Sequence, residues 1–220
     1  MGTQKKLQFI SKALALLVAA VIFSGCNPSE SVAPIEDLID QIPGMTLISG
    51  AENVEITVNR NKDNTAYYNV NLAGLDAEAI SLAGDYRAWC TQWDISIRSN
   101  NTVYEAAKVY DIAGEGYWKN VVYLVNQADG YLAADSTLKW TELQVALWAM
   151  INHKKIELTP AFITRLDSDF QDVRIDVIQH IIADVDVKIS GWDFTQLENN
   201  ILYVEVSDDV QDLVIVRPKN

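Results

Sequence analysis

Two residues with reactive side chains stand 54 positions apart: Cys90, in AWCTQW, and Gln144, in TELQVALWAM. The chain holds two cysteines, and the first, Cys26, closes an apolar leader, which leaves Cys90 as the one thiol of the exported part. A single thiol cannot close an intramolecular disulfide. Gln144 lies among apolar residues, and a buried amide without a partner is costly. An internal thioester accounts for both. The Cys90 sulfur attacks the Gln144 side-chain carbonyl and ammonia departs. The resulting acyl group is activated towards amines and hydroxyls, yet persists if held in a dry, aromatic-lined pocket. Trp89 and Trp93 flank the cysteine, and Val145, Leu147 and Trp148 follow the glutamine. The candidate pocket is therefore Trp89, Trp93 and Trp148, with His153, about two turns beyond Gln144, as a possible aid to acyl transfer.

Each residue also has a plainer explanation. A buried free cysteine is a common, inert core residue. Thr141-x-x-Gln144 fits a capping box at the start of a helix. On the residues alone, both explanations stay open.

The elements that must position the pair follow from periodicity. Asn53–Val58 and Ala66–Leu72 alternate polar and apolar residues about an NRNKDNT turn, as a hairpin or meander does. Tyr86–Ile97 is rich in aromatic and β-branched residues, which places Cys90 on a strand or at its end. Helical spacing follows at Tyr117–Asn126, ahead of a QADG turn, and at Thr141–Ile151, with Leu143, Leu147 and Ile151 on one face. Thr159-Pro160 has the form of a helix start, and Asp172–Val185 repeats apolar residues at helical spacing. Period two returns at Ile201–Val206 and Leu213–Val216. The expectation is an α+β fold in a single domain, with antiparallel β-strands at both ends flanking a helical insert.

These segments carry a resemblance. WCTQWDISI, the helical stretch with VVYLVNQ, and ELQVALWAMI resemble the bacterial thioester domains of surface adhesins. In that family an aromatic-Cys segment on a strand meets an apolar-Gln-x-Ala-apolar-Trp segment on a helix. Here these are Trp89-Cys90 and Leu143-Gln144-Val145-Ala146-Leu147-Trp148. The QDLVIV segment resembles the family's closing strand, so the resemblance runs from Asn53 to Val216. It implies covalent binding to a host or environmental surface, with Cys90 and Gln144 as the cross-linked pair, no cofactor and no turnover. The Cys–Gln spacing is short beside that of well-known Gram-positive adhesins. The alternative is a non-covalent glycan- or protein-binding envelope lipoprotein with a relic Cys/Gln pair.

The remaining chemistry is sparse. His153 and His180 are the two histidines, and no Cys/His cluster or HExxH pattern suggests a metal. Asp167, Asp169 and Asp172 lack the glycine of an EF-hand loop and read as helix caps. Trp118, Trp140 and Trp192 could stack on sugars or fill a core.

Lys5, Lys6 and Lys12 precede the apolar run Ala13–Phe23, and FSGC then matches a bacterial lipobox. The run is too short to span a bilayer, which takes ~20 residues. The expected organisation is a lipoprotein signal peptide at 1–25, a lipid-anchored tether at 26–44 and a thioester-like domain at 45–220. Diacylation of Cys26 would then hold the chain in the cell envelope, on the outer membrane or cell surface. Losing the three leader lysines leaves 14 basic residues against 30 acidic, a net charge of −16. That balance excludes nucleic acid, whose binding needs Lys and Arg at the phosphates. The expected partners are the membrane, through the lipid, and a protein or glycan on a target surface.

Overall fold

The computed structural model describes residues 44–112, 116–152, 156–207 and 209–219, which belong to one compact unit. The leader, the tether up to residue 43 and Cys26 lie outside them, as does His153. Among the described residues seven strands form: β1 (Met45–Leu47), β2 (Val54–Arg60), β3 (Tyr68–Ala73), β4 (Gly84–Cys90), β5 (Asn100–Ile112), β6 (Asn199–Glu205) and β7 (Leu213–Pro218). All pairings are antiparallel, in the order β5-β2-β3-β4-β7-β6, and β6 pairs again with β5. Six strands thus close a barrel, and β1 extends β5 along its far half.

This closure corrects the expected α+β arrangement. Strands from the two ends of the chain do not flank a separate helical insert but join one β-barrel, giving a β-rich fold with a few helices against it. Periodicity marks single strands and is silent on which distant strands pair. The joining strand, β5, also escapes the pattern for a physical reason. Val54 pairs with Ala107 while Ile56 pairs with Tyr104, so β5 carries one extra residue at that point. This bulge breaks the alternation and bends the strand, so that its first half faces β2 and its second half faces β6.

Ala106 occupies the bulge at φ 60°. Left-handed backbone costs a residue with a Cβ roughly 1–2 kcal/mol, and Ala106 is exposed, so its methyl returns little packing. Ala106→Gly is expected to stabilise the protein by about 0.5–1 kcal/mol after the entropy of glycine is counted, raising Tm by ~1–4 °C. An unchanged or lower Tm in a thermal melt would show that the bulge is not strained.

Among the described residues between β5 and β6 lie four α-helices: α1 (Lys119–Ala134), α2 (Trp140–Ile151), α3 (Pro160–Ile163) and α4 (Ile175–Lys188). α1 runs straight through the expected QADG turn. Gly130 is tolerated there, and Asp129 is tied to Arg87 of β4. Thr159 and Pro160 start α3 as expected, with the Thr159 hydroxyl accepting the Phe162 N–H at 3.2 Å. The helices cover one side of the barrel. Ile201–Val204 and Leu213–Val216 are buried at every residue, whereas β2 and β3 alternate buried with half-exposed side chains. Strands covered on both faces read as continuous apolar runs, and strands with one wet face alternate. Among the described residues no helix is long and apolar enough to cross a membrane.

Candidate functional site

Cys90 is the last residue of β4, and its two neighbours in the barrel end differently. On one side β7 continues, with Cys90 opposite Leu213 and the Thr91 N–H donating to the Asp212 carbonyl at 3.1 Å. On the other side β3 stops pairing at Tyr68, opposite Ala88. The Cys90 N–H and C=O therefore need partners from outside the sheet. α2 supplies them through one side chain. The Gln144 Oε1 accepts the Cys90 N–H at 2.9 Å, and its Nε2 donates to the Cys90 carbonyl at 2.8 Å. The amide stands where the next strand's peptide would be. Cys90 and Gln144 are both wholly buried.

α2 can offer Gln144 because another residue handles the helix start. The helix begins at Trp140, and the Glu142 carboxylate accepts the Lys139 N–H at 2.9 Å. The capping role open to Thr141 and Gln144 thus falls to Glu142, and Gln144 lies a turn deeper. Glu142 also takes Arg174 Nε at 2.6 Å and Nη2 at 2.9 Å, fixing α2 against the start of α4. Burial pushes the Glu142 carboxyl up. The hydrogen bonds from Arg174 and from the Lys139 and Arg174 N–H groups outweigh it and hold the carboxyl below its ordinary value.

The residues beside Cys90 are locked in turn. Gln92 Nε2 donates to Asp212 Oδ2 at 3.0 Å, and its Oε1 accepts the Asp212 N–H at 2.6 Å. Asp212 Oδ2 also accepts the Tyr203 hydroxyl at 2.6 Å, and Gln211 Nε2 donates to the Gln92 carbonyl. Burial raises the Asp212 carboxyl, against the pull of these donors. The Thr91-Gln92 and Gln211-Asp212 pairs thus clasp the end of β4 to the start of β7.

β4 divides its side chains between two environments. Trp89 packs against Leu124, Val125 and Ala128 of α1 and Leu143 and Leu147 of α2. Alternation turns Cys90 to the opposite face, the one that carries Tyr68. Burial pushes the Cys90 thiol well up, while Tyr68 and the positive charge of Arg60 act against it and Asp167 adds to it. Tyr67, stacked on Tyr68 at 4.3 Å, is pushed up to about 12, chiefly by burial. Above this layer opens a cavity of about 440 Å³, whose walls include Tyr67, Tyr68, Trp93, Trp148, Phe170 and Arg165. The Arg165 guanidinium lies over the Trp93 ring at 4.5 Å.

Chemically, the arrangement holds an amide carbonyl in one orientation. A backbone N–H points at its oxygen, as a donor would at a developing oxyanion. The thiol belongs to the same residue as that N–H. Water is kept out, and a cavity leads to the aromatic layer over the sulfur.

Solved structures were compared with this fold. The chain is similar in structure to a pilus tip adhesin. The N-terminal domain of the Streptococcus pyogenes pilus tip adhesin Cpa aligns at 13% identity, over 78% of this chain and 96% of that one, with a TM-score of 0.45. A mutant of the pilus-presented adhesin Spy0125 (Cpa), with a cysteine changed to alanine, aligns at 12% identity over 78% of this chain and 47% of that one, with a TM-score of 0.48. No family profile and no curated protein sequence matches the chain.

Of the residues singled out by sequence, Cys90 and Gln144 meet, Trp93 and Trp148 line the cavity, and Trp89 lies on the other face of β4. Asp169 and Asp172 do not cap α4: they pair with Arg60 and Lys139, at the mouth of a second cleft beside the start of α2. Among the described residues no group of His, Cys, Asp and Glu is arranged to hold a metal. Sequence reasoning missed Tyr67, Tyr68 and Arg165 in the cavity wall. It also missed the Glu142–Arg174 pair, although a glutamate inside an apolar helix was a visible signal.

Proposed function

We propose that this domain forms an internal thioester between Cys90 and Gln144 and uses it to attach covalently to a target surface. The observation that carries the reading is the reciprocal pair of hydrogen bonds between the Gln144 amide and the Cys90 backbone, in a dry site. In the forming step the Cys90 sulfur bonds to Gln144 Cδ, the C–N bond breaks, and the thiol proton leaves with the nitrogen as ammonia. The Cys90 N–H polarises the carbonyl throughout. In the capture step an amine or hydroxyl on the target attacks the same carbon, the C–S bond breaks, and the displaced proton returns the sulfur to a thiol. Since burial disfavours the thiolate, the sulfur leaves in protonated form. Each molecule acts once, so this is attachment and not turnover. With Cys26 diacylated, the domain would be carried on a lipid anchor in the bacterial envelope, facing a protein or glycan as an adhesin does.

Intact mass under denaturing conditions tests the bond. The unreacted chain is expected to lack the mass of one ammonia, methylamine to add across the bond, and Cys90→Ala to abolish both effects. A full calculated mass, with a thiol that alkylates once the chain is unfolded, would leave only a structural clasp between β4 and α2. Reversible binding that survives Cys90→Ala would then favour a non-covalent adhesin with a relic pair.

A further inference from the structure

The outer face of β2, β3 and β4 is unusual for exposed strands. Asn59, Asn69 and Asn71 occupy it, although asparagine is depleted in strands. Local rules broken without a packing gain point to function. Asn59 stands opposite Asn69, which stands opposite Arg87, and Asn71 stands opposite Asp85. With Tyr86 they line a groove of about 490 Å³.

Each polar side chain in the groove is pinned at one end. Asn59 Oδ1 accepts the Asn101 N–H, Asn69 Oδ1 accepts from Asn61 Nδ2, and Asn71 Nδ2 donates to Asp85 Oδ1, all at 2.9 Å. The Arg87 guanidinium is neutralised by both Asp129 oxygens. What stays unengaged among the described residues is the Nδ2 of Asn59 and Asn69, and the Oδ1 of Asn71 with the Oδ2 of Asp85. Two fixed donors and two fixed acceptors therefore share one groove.

We propose that this groove binds a neutral saccharide non-covalently. Sugar hydroxyls both donate and accept, so vicinal hydroxyls match paired amide donors and carbonyl or carboxylate acceptors. Other ligand classes fit poorly. An anion would meet Asp85 with no unpaired cation to offset it. An extended peptide needs a strand edge, and β3 is paired on both sides. The site is independent of the Cys90–Gln144 pair: Tyr68 of β3 turns towards the sulfur, whereas Asn69 and Asn71 turn outward.

Binding of the purified chain to an array of immobilised neutral oligosaccharides tests this. The wild type is expected to retain a subset of them, and Cys90→Ala to retain the same subset equally. Asn69→Ala and Asp85→Asn are each expected to weaken retention about tenfold, the loss of one good hydrogen bond to a ligand. Asp85→Asn is isosteric and keeps the test valid if Asn69→Ala disturbs the Asn61 turn. Retention of no neutral saccharide, of charged glycans alone, or of the same glycans equally by both groove variants would overturn the proposal.

Discussion

Alanine in place of Gln144 is expected to be among the most damaging single changes in α2, although it removes no charge and little apolar surface. It strips the Cys90 N–H and C=O of their partners in a site closed to water. Leaving a buried polar group unmet costs about 1–3 kcal/mol, so the two together should cost roughly 3–5 kcal/mol, a fall in Tm on the order of 10 °C. Cys90→Ala is the informative contrast. Measured against the chain in which the thioester has not formed, it deletes the sulfur but keeps the backbone groups and their amide partner, and should cost only about 1 kcal/mol, in the range of a small core truncation. Denaturation midpoints of the two variants, measured side by side, check the asymmetry. Equal losses would mean that the amide is not holding the end of β4. The contrast also makes Cys90→Ala the sound chemical control for the thioester, since it leaves the scaffold in place.

The second large effect lies at the start of the same helix. Arg174→Ala is expected to lower stability at neutral pH more than any other loss of a surface cation. The change leaves the fully buried Glu142 carboxylate without its cation, although solvent around Arg174, whose side chain is 39% exposed, moderates the loss. The pH dependence should change sign. In the wild type the Glu142 carboxyl is held below its ordinary value of 4.5, so its contribution is complete above that value and is lost as pH falls through the depressed one. Without Arg174 burial dominates and lifts the carboxyl. Its contribution is then largest in acid and fades as pH rises. The gap in Tm between wild type and variant should therefore be widest near pH 7 and shrink towards pH 4. A gap that stays constant would show that Glu142 and Arg174 are not coupled.

Much of the local structure was legible in the sequence because it is local. Alternation marks β2 and β3, apolar runs mark β6 and β7, and Thr159-Pro160 starts α3. What failed was long-range or irregular. β5 hides behind one extra residue at Ala106, and without it the strands of the two chain ends look like separate sets instead of one closed ring. The candidate pair was legible through mismatch: a lone thiol and an amide in an apolar helix both stand out. Its surroundings were not. Tyr67 and Tyr68 look like any aromatic pair in a strand, and Arg165 gains meaning only when α3 brings it over Trp93. The clasp of Gln92 on Asp212 joins residues 120 apart, a distance no window of periodicity spans.

The pairing of β4 with β7 carries a consequence in time. Cys90 sits opposite Leu213, so the sulfur is not enclosed until a strand made more than a hundred residues later has docked. Barrels dominated by such distant pairings fold slowly, in about milliseconds to seconds. On the proposed reading, a nascent or half-folded chain carries an ordinary thiol and an unreactive amide, and no acyl group that could be spent on the wrong neighbour. The fold itself sets the order of events: the molecule becomes armed only when it is finished.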